Sequence, residues 1–171
     1  MSGKTLLAEI EAAISKPGAS RALKRCANMY FEELLEQEGL PDDYFSVVAA
    51  SLTRPSLFRV RGAEMFLYQI YASIDAVSET RKEQLLGIIR DRFGEYENDA
   101  LCYVIADFIA RVYPARIALE AAATLLEKSS SPQQFAGVQM IIDIVSKSSS
   151  GEEFHPELNR LRETLSTKGL G

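Results

Sequence analysis

The chain has 171 residues, 47% of them hydrophobic and 25% charged, which fits about one globular domain. That balance excludes a disordered chain, a collagen-like repeat and a disulfide-stapled miniprotein, and a net charge of −5 argues against a general nucleic-acid binder. One histidine, two cysteines and no tryptophan leave little material for a dense metal site or for histidine-based catalysis.

Along the chain, each candidate helix comes with its own start or stop signal. Met1 to Ile10 carries one positive charge and then an acid before any apolar run develops, so no secretory signal is expected there. Leu6, Leu7, Ile10 and Ile14 mark a first helix, stopped by Pro17-Gly18. Ser20 is placed to cap a second, carrying Leu23, Ala27, Tyr30 and Leu34 as far as Gly39. Pro41, Asp42 and Asp43 suit the first turn of a third, which holds Tyr44, Phe45, Val48 and Leu52 and ends before Pro55. The spacing of Leu57, Val60, Ala63, Leu67, Ile70 and Ile74 predicts one continuous fourth helix.

Thr80 and Glu83 read as a capping box for a fifth helix with Leu85, Leu86, Ile88, Ile89 and Phe93. Asn98 or Asp99 caps a sixth, with Leu101, Val104, Ile105, Phe108, Ile109 and Val112. Pro114 opens a seventh with Ile117, Ala121, Leu125 and Leu126. Ser131-Pro132 opens an eighth with Phe135, Val138, Ile141, Ile142 and Val145. A last helix starts near Pro156 with Leu158, Leu161 and Leu165. No stretch alternates like a strand, and none reaches the roughly 18–20 apolar residues of a membrane span. The expected fold class is all-α with about nine helices in a single domain over 1–171. Capping helices occupy 1–39, helix hairpins 41–146, and a C-terminal helix 156–168.

The fifth helix has one apolar stripe, whereas the sixth is apolar on nearly every side, and a helix apolar all round must be covered all round. Self-comparison agrees with stacked hairpins. Blocks starting at Gly62, Ala100 and Gly137 each open on a small residue and carry large apolar residues at positions five, six and nine. Their offsets of 38 and 37 residues are typical of two-helix repeats. Val60-Arg61-Gly62-Ala63-Glu64 resembles the Val-Arg-x-x-Ala opening of the second helix in HEAT repeats, and Pro114 falls where a next hairpin would begin. The resemblance covers about 41–146 and implies a short α-solenoid of antiparallel hairpins with a concave binding surface.

Reactive chemistry is sparse. His155 stands between Phe154 and Pro156, in an expected loop before the last helix, and no other histidine exists to build a nucleophile–base pair or a metal site. Cys26 and Cys102 have no zinc or redox spacing and read as buried, reduced thiols. The glycines form no phosphate-binding pattern, and Glu32-Glu33 and Glu152-Glu153 diverge by about 100° on any helix. No catalytic residue, cofactor or metal is expected, and the protein is expected to be a soluble cytoplasmic non-enzyme.

Charge is uneven. Arg21, Lys24 and Arg25 form one basic group, and Arg54, Arg59 and Arg61 another, which make a local patch if the two are neighbours. From Glu95 to Glu157 there are ten acids and four bases, a net of −6. Within that half, Tyr96, Glu97, Asp99, Tyr103, Asp107 and Tyr113 interleave acids with tyrosines. Tyrosines anchor interfaces, and clustered acids speed capture of a basic partner. These six are the expected partner-binding residues. Small acidic HEAT-like proteins are similar to immunity proteins of bacterial polymorphic and contact-dependent toxin systems. That resemblance implies a protein that caps a cognate, basic toxin domain; the absence of long apolar runs sets aside a membrane partner, and the acid excess argues against nucleic acid. The alternative is a cytoplasmic scaffold or adaptor solenoid.

Overall fold

Where the first free N–H groups of a helix find an acceptor, that helix begins, and most boundaries in this chain follow that rule. The computed structural model describes residues 2–35, 42–71, 73–148 and 153–169, and among them the chain is all-α, with ten α-helices, two short 3₁₀ turns and no strand. The helices are α1 (Gly3–Ile14), α2 (Ala19–Leu35), α3 (Asp42–Thr53), α4 (Pro55–Phe58), α5 (Glu64–Tyr71), α6 (Glu79–Arg92), α7 (Asp99–Val112), α8 (Ala115–Lys128), α9 (Pro132–Lys147) and α10 (His155–Gly169). The 3₁₀ turns cover Ile74–Ala76 and Phe93–Glu95. None of these helices is long and apolar enough to cross a membrane.

Several expected boundaries shift. The α2 start is closed by the Gly18 carbonyl, which accepts from Arg21 and Ala22 at 3.0 and 3.2 Å, so Ser20 lies inside the helix. Ser78, not Thr80, caps α6, accepting from the Arg81 amide at 3.4 Å. The expected stop at Gly39 and the first-turn role of Pro41 lie outside the described residues. The continuous fourth helix does not form. Gly62 adopts φ +114°, and the buried Glu64 carboxylate accepts from the Gly62 amide at 2.7 Å, so the chain turns between α4 and α5. Val60 to Ala63 therefore sits in a turn that precedes a helix. Periodicity alone did not reveal this, because the apolar spacing runs on through the break.

By packing, the chain forms two compact units, Met1–Ile88 and Ile89–Gly171, and the division falls inside α6. In the first unit α1 packs on α2 and α3, while α5 packs on α2 and α3. Two contacts fix the directions. The Gly3 amide at the start of α1 donates to Asp43 Oδ2 at the start of α3 at 2.7 Å, so α1 and α3 run parallel. A Cβ on Gly62, just before α5, would stand 3.0 Å from the Ser20 carbonyl and 3.2 Å from Leu23 Cβ at the start of α2, so α2 and α5 also run parallel. The unit is thus two hairpins, α1/α2 and α3/α5, laid side by side. Its centre is aromatic. Tyr30 lies 5.3 Å from Tyr44 and 5.8 Å from Phe66, and the buried Tyr30 hydroxyl donates to the Tyr44 carbonyl at 3.4 Å.

In the second unit α9 is central, packing on α7, α8 and α10. Gly137 of α9 comes so near α7 that an added Cβ would meet the Cys102 carbonyl at 3.2 Å. Gln134, in the first turn of α9, reaches the connection before α7, so α7 and α9 run parallel and α8 returns the chain between them. The second and third repeat blocks therefore lie against each other. Their fifth, sixth and ninth positions are core, with Ile105, Phe108, Ile141, Ile142 and Val145 buried and only Val104 partly exposed.

Candidate functional site

The acid–tyrosine set is built on and around α7. Asn98 caps the helix, its Oδ1 accepting from Ala100 and Leu101 at 3.1 and 3.4 Å, while Asp99 Oδ1 accepts from Ala100 at 2.8 Å. Leu101, Cys102, Ile105, Ala106, Phe108 and Ile109 face inward. Asp99, Tyr103 and Asp107 follow one another at four-residue steps and share the opposite side. Tyr103 is 62% exposed, and Asp99 and Glu97 are exposed as well. Asp107 is partly exposed and held by Arg111, whose Nε donates to Asp107 Oδ1 at 2.6 Å. The sixth helix of the sequence reading is therefore covered on most of its circumference but keeps this ridge open.

Tyr96 and Tyr113, expected as partner contacts, are core residues instead. Tyr96 is fully buried, edge-on to Phe93 at 6.3 Å, and Tyr113 is nearly buried, edge-on to Phe108 at 5.8 Å. Both lie in connections flanking α7, where helical periodicity assigns no side, and both rings fold back over the core. The exposed remainder of the expected set is Glu97, Asp99, Tyr103 and Asp107.

Beneath the ridge lies a polar lock that the sequence reading missed. The Gln134 side chain, 1% exposed, donates from Nε2 to the Phe93 and Tyr96 carbonyls at 3.1 and 3.0 Å. Its Oε1 accepts from the Ser130 and Ser131 amides at 2.7 and 3.2 Å, completing a capping box in which Ser131 Oγ accepts from the Gln134 amide at 3.4 Å. The Ser131-x-x-Gln134 pattern was the available signal for the cap; its second partner, 38 residues upstream, leaves no local trace. This amide fixes the 93–96 connection that leads into α7.

A second feature of the same unit is a half-open cleft of about 660 Å³ between α8 and α10. From α8 it is lined by Arg116, Leu119, Glu120, Ala123, Leu126 and Glu127, and from the α10 side by Glu153, Phe154, Glu157, Arg160, Leu161 and Thr164. Arg116 Nε pairs with Glu120 Oε1 at 3.1 Å. Spacing on α8 made its stripe legible; the gap to α10 depends on how far apart two helices pack and had no sequence signal.

The two basic groups of the first unit are neighbours. A Gly62 Cβ would lie 3.5 Å from Lys24 Cγ, and Arg21, Lys24, Arg25, Arg59 and Arg61 are all exposed, while Arg54 pairs with Glu11. Tyr68 on α5 is a further exposed aromatic of this unit.

Both thiols are held in their protonated form by burial. Burial pushes Cys102 from 9.0 up to about 12, and burial, reinforced by Glu9, raises Cys26. Both are free and buried. His155 is the first residue of α10 and exposed, a position one residue inside the helix that was expected to follow it. Among the described residues no group of three or more His, Cys, Asp or Glu side chains could hold a metal ion. No protein-family model, no curated protein and no solved structure matches the chain.

Proposed function

We propose that the protein is a cytoplasmic, non-enzymatic binding module built of HEAT-like helix hairpins, whose α7 ridge captures a basic partner protein. The observation that carries this reading is Tyr103, a large aromatic left 62% exposed between Asp99 and Asp107 on a helix whose other sides are core. An exposed tyrosine offers contact area at small entropic cost, and the flanking acids accelerate encounter with positive charge. The specific form we propose is an immunity-type inhibitor that covers the active surface of a basic toxin domain, its acids standing in for the phosphates of the toxin's substrate. The scaffold or adaptor reading draws support from the α8–α10 cleft, a second acidic surface of the same unit that shares no residue with the ridge.

Affinity capture from the native cell supplies the partner, and association kinetics then test the ridge. Reversing Glu97, Asp99 and Asp107 to lysine is expected to slow association at least tenfold and flatten its salt dependence, while stability falls by less, through loss of the Asp99 contact to Ala100 and the Asp107–Arg111 pair. Tyr103→Ala is expected to act chiefly on dissociation. An association rate and salt dependence that survive the triple reversal rule the ridge out.

A further inference from the structure

We infer that the cleft between α8 and α10 docks a basic amphipathic helix presented by a partner protein, on a surface separate from the α7 ridge. The argument starts from shape. The α8 wall runs from Arg116 to Glu127, which at 1.5 Å per residue is about 16 Å, or three helical turns. Leu119, Leu126 and Leu161 form the floor, with the partly exposed Ala123 and Phe154 facing outward from it. Two helix faces that line an open cleft over an apolar floor offer the groove into which the ridge of a third helix fits. A volume of about 660 Å³ takes a row of apolar side chains but not a whole helix, so the occupant buries one stripe and keeps its other face in water.

Charge then selects the partner. Four glutamates and two arginines line the cleft. Glu120 is satisfied by Arg116, whereas Glu127, Glu153 and Glu157 make no ion pair among the described residues, so carboxylates outnumber guanidinium groups in the lining. A helix whose apolar stripe is flanked by lysine or arginine lays its methylene stems along Ala123 and Phe154 and brings its charges to those rim carboxylates. An anionic small molecule is repelled by the same rim. A second copy of this chain carries −5 overall but is basic around Arg21, Lys24 and Arg25, so sedimentation separates that occupant from a partner's helix.

The probe is a fluorescent 14-residue peptide of leucine and lysine only, with leucines on one helical stripe, titrated into the full chain and read by anisotropy. It is expected to bind at least tenfold more tightly than a scrambled peptide of equal composition and than a leucine–glutamate counterpart. Ala123→Arg, which projects a long charged side chain into the mouth of the cleft from a partly exposed wall position, is expected to abolish the preference. Glu127→Lys with Glu157→Lys is expected to weaken binding at least tenfold and to reduce its salt dependence, while Tyr68→Ala, an exposed aromatic outside both surfaces, leaves binding unchanged. Equal binding of the scrambled peptide, or undiminished binding to a folded Ala123→Arg variant, overturns the proposal. So does a dimer in sedimentation that Ala123→Arg dissociates, since the occupant is then a second copy. Should Ala123→Arg fail to fold, Thr164→Arg on the exposed opposite wall carries the same test.

Discussion

Gln134 shows how one side chain can be both a local cap and a tertiary clamp. Its carboxamide presents two donors and one acceptor oxygen, and all are used, the donors on carbonyls of 93 and 96 and the oxygen on amides of 130 and 131. A buried polar group left without its partner costs about 1–3 kcal/mol, and removing this side chain strands several at once. Gln134→Leu is therefore expected to lose about 3 kcal/mol of stability in chemical denaturation, by the same reckoning. Gln134→Glu keeps the cap oxygen but turns a carboxylate oxygen toward two carbonyls, and is expected to lose at least as much. A variant as stable as the parent shows that the clamp is not needed. At this scale the sequence was half legible: the cap at Ser131 was evident and the α7 cap was narrowed to Asn98 or Asp99, because capping is local. The carbonyl partners of Gln134 were not, nor were the inward turns of Tyr96 and Tyr113, because both depend on packing outside the helices.

Among the elements, α7 is the clearest case of a helix read well from its spacing and then corrected in detail. Its inward residues were legible from the three- and four-residue repeat, and Ile105 is fully buried as that repeat requires. The near-continuous apolar character suggested complete cover, yet the Asp99, Tyr103 and Asp107 positions remain open to solvent. Ile105→Asp places a charge with no route to water in the middle of the α7–α9 contact, and is expected to unfold the protein, since an unpaired buried charge costs several kcal/mol. Circular dichroism that retains a cooperative melt for this variant would falsify the packing of α7. The split of the expected fourth helix has a comparable lesson. Glycine at 62, with φ +114° and a backbone neighbour 3.0 Å from where a Cβ would stand, interrupts a helix that hydrophobic spacing alone carries straight through.

For the molecule as a whole, the all-α class and most of the core were legible, whereas the division into two compact units within α6 was not, because no composition shift or linker marks it. The buried ionisable groups also have a joint consequence. Burial raises Tyr30, Tyr44 and Tyr96 above the usual tyrosine value and lifts Cys102 from 9.0 to about 12. Each folded group holds its proton at a pH where the unfolded chain releases it, so the unfolded state binds fewer protons and stability falls as pH rises. Denaturation midpoints are expected to be insensitive to these groups below pH 9 and to decline steadily between pH 9 and 12. A midpoint that holds constant across that window contradicts their burial.

The parallel pairing of hairpins also shapes how the chain can assemble. The hydrogen bonds that join one hairpin to the next span 38 to 41 residues, from Gly3 to Asp43 and from Phe93 and Tyr96 to Gln134. Closing a loop of that length costs roughly 3 kcal/mol by the logarithmic rule, and the cost is nearly the same at each joint. Inside each unit the described joint therefore forms without waiting for a distant end of the polypeptide. Within each compact unit, a nascent chain emerging from the ribosome can thus lock the second hairpin onto the first as soon as about forty further residues are free, the length that separates these bonded partners.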